Sequence, residues 1–142
     1  MTLLEKIFPF VFKNNHQPAL NRTVLVVDDS DVERRTNQRI LEKAGYRVIC
    51  AEDGETGLKI AAEEDLDLIL LDCILPGIHG PEVLKKLKST QKTKDVPVIL
   101  LTGSDTPANI VSCYDLGAEI FLAKPVNAKT LLSQVSMSLT EK

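Results

Sequence analysis

At 142 residues, with 17 Lys+Arg against 20 Asp+Glu and a formal net charge of −3, the chain has the length of one domain and can bury a core without disulfide or metal staples. The mildly acidic balance excludes a global basic field for nucleic acid. Cys50, Cys73 and Cys113 are odd in number, widely spaced and form no CxxC pair, which reads as reduced thiols of a cytoplasmic protein. No run reaches the roughly 18 apolar residues of a membrane span. Leu3-Leu4-Glu5-Lys6-Ile7-Phe8 places charges where a secretory signal needs an apolar stretch.

Residues 1–21 read as an N-terminal extension. Leu3, Leu4, Ile7 and Phe8 form an apolar patch that Pro9 interrupts, and Phe10 and Phe12 follow. So much apolar surface suits docking, on the domain itself, on a partner or across a homodimer contact, better than a solvated tail. Val24-Leu25-Val26-Val27 is then a short run rich in β-branched residues, the habit of a parallel strand buried on both faces, and it stops at Asp28-Asp29. Ser30 is an N-cap with Glu33 at capping-box spacing. Val32, Thr36, Ile40 and Ala44 stripe the predicted helix, and Gly45 sits where a left-handed cap is favoured. Tyr46 to Ala51 is a second strand. Asp53 opens a second helix carrying Leu58, Ala61 and Ala62.

The third strand, Leu68-Ile69-Leu70-Leu71, runs into Asp72. Gly80-Pro81 opens a third helix, with proline in the first turn and Val83, Leu84 and Leu87 facing inward. Val98-Ile99-Leu100-Leu101 runs into Thr102. A fourth helix is predicted from about Pro107 to Leu116, ending at Gly117. Ile120-Phe121-Leu122-Ala123 runs into Lys124-Pro125. Ala128, Leu131, Leu132, Val135 and Leu139 make the last helix, after which the chain ends at Lys142, leaving no room for an output domain. The rhythm is (βα)5: an α/β fold, flavodoxin-like, with a doubly wound five-stranded parallel sheet in the order 2-1-3-4-5.

In a parallel sheet all strands end on one edge, so Asp28, Asp29, Asp72, Thr102 and Lys124 should converge where open α/β sheets place their chemistry, with the acids at the switch point between strands 1 and 3. Close carboxylates repel unless a cation neutralises them. All-oxygen ligands with no His/Cys cluster suit Mg²⁺ rather than zinc. Carboxylates, a divalent metal, a hydroxyl and a lysine together suit a transferring phosphoryl group.

Residues 22 to 140 resemble the receiver domain of two-component response regulators, which sets a domain at 22–142. The resemblance rests on four motifs in order: Val26-Val27-Asp28-Asp29-Ser30, then Leu71-Asp72-Cys73-Ile74-Leu75-Pro76-Gly77-Ile78-His79-Gly80, then Leu101-Thr102-Gly103, then Gly117 to Pro125. It implies Asp72 as phosphoacceptor and Asp29 as a direct Mg²⁺ ligand, with Asp28 acting mostly through a metal-bound water. The backbone carbonyl of Ile74 is implied as a further ligand. Thr102 would hydrogen-bond the phosphoryl group and Lys124 would pair with it. Phe121 takes the position of the switch aromatic, and the Lys124–Pro125 bond is expected to be cis. His79 stands where an acidic residue is common in the family, and Ile74 where many relatives carry Met or a polar side chain.

Three other classes fit less well. A degenerate receiver would lack one of the five site groups. A haloacid-dehalogenase-type phosphatase wants a second acid two residues after the nucleophile, where this chain has Ile74. A dinucleotide-binding domain wants a glycine-rich turn after the first strand, where Asp28-Asp29-Ser30-Asp31 stands. The resemblance therefore implies a stand-alone regulator, phosphorylated by a sensor histidine kinase or histidine phosphotransfer protein. It would have no enzymatic activity beyond Mg²⁺-dependent self-phosphorylation and autodephosphorylation. It would signal to a downstream protein through the face of the fourth helix, fifth strand and last helix. The alternative is a phosphorelay intermediate or phosphate sink. Ile74 and Ser104 would border the path of hydrolytic water, neither well suited to orient it, which predicts a long-lived phosphoryl group.

Overall fold

The computed structural model describes residues 21–103, 117, 118 and 120–140. All of the 1–21 extension but Asn21, the helix expected over 107–116 and Ser104 lie outside the described residues. Five strands, β1 (Thr23–Val27), β2 (Arg47–Ala51), β3 (Leu68–Asp72), β4 (Val98–Thr102) and β5 (Ile120–Ala123), form one sheet in the order β2-β1-β3-β4-β5. Every pairing is parallel, as the strand–helix rhythm requires. The described helices are α1 (Asp31–Lys43), α2 (Gly54–Glu63), α3 (Gly80–Lys88) and α4 (Ala128–Thr140).

Alternate residues of the central strands feed two cores. Leu25, Val27, Ile69, Leu71, Val98 and Leu100 face Ala61 of α2 and Val83, Leu84 and Leu87 of α3. Val24, Val26, Leu68, Leu70, Ile99 and Leu101 face Leu41 of α1 and Leu131, Val135 and Leu139 of α4. Both faces of β1, β3 and β4 are thus removed from water, which is why these strands read as unbroken apolar runs. At the sheet edge β5 is only half-buried. The last helix buries Leu131, Val135 and Leu139 at the expected spacing, and Asn127 caps it by accepting from the Thr130 amide at 2.8 Å.

The first helix departs from its predicted stripe. Val32 is 76% exposed, Thr36 and Ala44 are exposed, and the buried positions are Arg34, Asn37 and Leu41. The inward face of α1 begins polar because it serves the acidic loop before it. The Arg34 guanidinium donates to the Asp28 carbonyl at 2.8 Å and pairs with Asp31. The helix still ends as predicted, with Gly45 at φ 101°, a conformation that costs a glycine little. Gly80 has a different role: a Cβ there would stand 2.5 Å from the Asp72 carbonyl oxygen and 2.8 Å from the Cys73 Cα. Only glycine lets α3 start hard against the end of β3.

Candidate functional site

The register carries the strand-end residues to one edge. Val27 pairs with Leu71, so Asp28 and Asp72 follow on adjacent strands. Asp72 pairs with Leu101 and Thr102 with Ala123, which puts Thr102 and Lys124 one step further along the same edge. Carboxylate oxygens of Asp28, Asp29 and Asp72 lie within 4.8 Å of one another. Asp28 is fully buried and Asp72 nearly so, whereas Asp29 is exposed. Three converging carboxylates, one open to solvent, fit a hard divalent cation that keeps some of its waters. Among the described residues, Asp28, Asp29 and Asp72 are the group of acids that could hold one.

Lys124 is the counter-charge. Its Nζ donates to Asp72 Oδ2 at 2.7 Å, to Glu33 Oε2 at 2.6 Å and to Asp28 Oδ2 at 3.4 Å. The backbone anchors the residue, since the Lys124 amide donates to the Thr102 carbonyl at 2.8 Å. The Lys124–Pro125 peptide bond is cis. The other oxygen of Asp72 accepts from the Ile74 amide at 3.3 Å, and the Ile74 side chain is 56% exposed. The Ser30 amide donates to Asp28 Oδ1 at 2.9 Å.

Burial drives the Asp28 carboxyl up to about 6 from an ordinary 3.8. The neighbouring Asp72 and Glu33 charges add to this, while the Ser30 amide and Lys124 oppose it. Burial works against the Lys124 charge, but its hydrogen bonds to Asp72 and Glu33 prevail and raise its pKa. The cluster therefore carries more negative charge than its one lysine balances.

Thr102 is half-buried at the end of β4. Phe121 is half-buried in β5 against the core under α3. Among the described residues, a Cβ on Gly103 would meet nothing within 4 Å. Two residues of this neighbourhood escaped the sequence reading. Glu33, expected to complete a capping box, leaves that role half made. Its amide donates to Ser30 Oγ at 3.3 Å, but the Ser30 amide is taken by Asp28 and the Glu33 carboxylate turns to Lys124 instead. Arg34, unassigned in the sequence, pins the Asp28 carbonyl. The available signal was acid density: Asp28, Asp29, Asp31 and Glu33 fall within one loop and helix turn.

A doubly wound 2-1-3-4-5 sheet with this acid–lysine edge is the architecture of a receiver domain. The family model for the response regulator receiver domain matches residues 24–136, and the chain belongs to that family. It is 35% identical over 116 residues to protein PilH of Pseudomonas aeruginosa, covering 82% of this chain and 96% of PilH. It is 41% identical over 115 residues to the sensory/regulatory protein RpfC of Xanthomonas campestris pv. campestris; that match covers 80% of this chain but spans only 16% of RpfC's length. Among solved structures, the chemotaxis response regulator CheY4 of Vibrio cholerae superposes with a TM-score of 0.79 at 33% identity, over 83% of this chain and 98% of that one. The receiver domain of the Pseudomonas aeruginosa sensor histidine kinase PA1611, whose structure has a magnesium ion coordinated in the active site cleft, gives 0.76 at 26% identity over 85% and 98%.

Proposed function

We propose that the domain, residues 22–142, accepts a phosphoryl group on Asp72 from a phosphohistidine of a sensor histidine kinase or a histidine phosphotransfer protein. The observation that carries this reading is the Asp72 carboxylate, nearly buried and held from both sides by Lys124 Nζ and the Ile74 amide, beside two further acids. An Asp72 oxygen attacks phosphorus, an O–P bond forms, the N–P bond to the histidine breaks, and the imidazole leaves with the electron pair. Family membership supports the reading.

Asp29 and Asp72, with the Ile74 carbonyl, would hold Mg²⁺, and Asp28 would act through a metal-bound water. When bound, the ion supplies positive charge to the phosphoryl oxygens. The magnesium ion of the PA1611 receiver favours this choice of metal. Lys124 orients the phosphoryl oxygens, and the Thr102 hydroxyl donates to one of them. Phe121 then turns inward, and the changed face of β5 and α4 binds a downstream protein. Onward transfer to a phosphotransfer protein is the second reading, compatible with the 41% identity to a segment of the sensory/regulatory protein RpfC.

Intact-mass measurement after incubation with acetyl phosphate tests the acceptor. One phosphoryl group should appear with Mg²⁺, none with a chelator, and none on Asp72→Asn. Equal labelling of wild type and variant would overturn the assignment.

A further inference from the structure

Among the described residues, Glu33 is the member of the acid–lysine cluster that the receiver reading leaves without a task. It projects from the first turn of α1 and its side chain is 44% exposed, so neither packing nor folding demands a carboxylate there. Yet its oxygen makes the shortest of the three contacts on the Lys124 ammonium, 2.6 Å against 2.7 Å to Asp72 and 3.4 Å to Asp28. An ammonium has three N–H donors, and these carboxylates occupy them all. Because Glu33 and Asp72 share one nitrogen, their oxygens are separated by no more than two hydrogen-bond lengths. Any phosphodonor that reaches Asp72 must therefore approach Glu33 and compete with it for Lys124.

We propose that Glu33 is a donor-selecting residue of this site: by holding Lys124 as a third carboxylate, it disfavours dianionic small-molecule phosphodonors relative to less charged ones. The inference rests on Asp72 being the phosphoacceptor. Among the described residues, Asp28, Asp72 and Glu33 contact Lys124 and Asp29 lies beside Asp28 and Asp72, so four carboxylates share the edge with one lysine and a divalent cation still leaves it negative. Like charges this close to a surface disfavour one another, and salt weakens the effect. A protein donor brings docking contacts that offset the repulsion; a small acyl phosphate brings none. Glu33 thus biases phosphorylation towards a protein donor.

The test compares wild type with Glu33→Gln, which keeps the helix cap because the Ser30 contact is made by the backbone amide. Acetyl phosphate, a dianion at neutral pH, transfers its phosphoryl group to an Asp72 oxygen as the P–O bond breaks and acetate leaves with the electron pair. Phosphoramidate, a monoanion, transfers it as the P–N bond breaks and ammonia leaves. With saturating Mg²⁺ at low ionic strength, Glu33→Gln should be labelled about three- to tenfold faster than wild type by acetyl phosphate. The gain with phosphoramidate should be clearly smaller, and added salt should shrink the acetyl phosphate gain.

A metal-free readout accompanies the rates. The Lys124 ammonium protons, followed by NMR, should exchange with water faster in Glu33→Gln than in wild type. Unchanged or slower labelling, an equal gain for both donors, or unchanged ammonium exchange would overturn the proposal. Absence of label on wild-type Asp72 with both donors would overturn it together with the acceptor reading, whereas labelling insensitive to Glu33 would overturn it alone.

Discussion

Asp67 and Asp28 are aspartates beside the same pair of strands, at opposite ends. Asp67, just before β3, accepts the Thr23 amide at 2.8 Å on Oδ2, lies 3.7 Å from Arg22 and stays a third exposed. Its charge is met by a backbone donor, a cation and water. Asp28, just after β1, is fully buried and shares one lysine with Asp72 and Glu33. One end of the sheet uses a carboxylate to tie strands together. The other gathers carboxylates faster than it neutralises them. Surplus buried charge is unfavourable for folding and suits the divalent-cation site proposed for this edge.

That contrast breaks most readily at Lys124. Lys124→Met removes the cation and leaves Asp28 and Asp72 buried against each other, so the metal-free protein should lose about 2–3 kcal/mol in denaturant titration. Added Mg²⁺ should recover part of the loss. A variant as stable as wild type without metal would show that the lysine is not the balancing charge.

Asp28→Asn should move stability the other way. Removing a charge that burial disfavours should stabilise the metal-free protein by about 1–2 kcal/mol near neutral pH, while calorimetry shows Mg²⁺ affinity falling at least about tenfold. Destabilisation without any loss of affinity would contradict the surplus-charge account.

The same carboxylate sets a pH dependence. Its folded pKa of about 6 stands above the ordinary 3.8, so the folded state holds this proton more tightly than the unfolded state. The stability it contributes is complete below the ordinary value and is lost as pH rises through about 6. Without metal, thermal unfolding should therefore move up by a few degrees as pH is lowered from about 7 to about 5.5. Saturating Mg²⁺ should flatten or reverse the trend, because cation binding favours the ionised form. A metal-free protein that loses stability over that window would refute the assignment.

The smallest effect belongs to the other end. Asp67→Asn should lower stability by about 0.5–1 kcal/mol through the weakened Thr23 contact and leave Mg²⁺ affinity unchanged.

These opposite ends also differ in how legible they were. The carboxyl edge could be read because each apolar run stops at a polar residue, and a parallel sheet leaves those stops only one side to share. Asp28, Asp29, Asp72, Thr102 and Lys124 all announce themselves in this way. Glu33 did not, because its partner is 91 residues away and its spacing from Ser30 fitted a capping box equally well. Arg34 was hidden for a related reason: periodicity treats an arginine as outward-facing, whereas here its guanidinium reaches back under the loop to a carbonyl. The predicted stripe through Val32 and Thr36 failed with it, since α1 gives its inward positions to serving the site and leaves Val32 in solvent. By contrast α3, with no such duty, buries Val83, Leu84 and Leu87 as its spacing demanded.

The central claim is that the charge-surplus edge exists to phosphorylate one of its own carboxylates. Borohydride reduction of the acetyl phosphate-treated, Mg²⁺-loaded protein, followed by peptide mass spectrometry, reads that carboxylate directly, because an aspartyl phosphate is converted to homoserine. The account predicts homoserine at position 72 alone. Homoserine at position 28 or 29, or at no position in a protein that has gained the mass of a phosphoryl group, would contradict it.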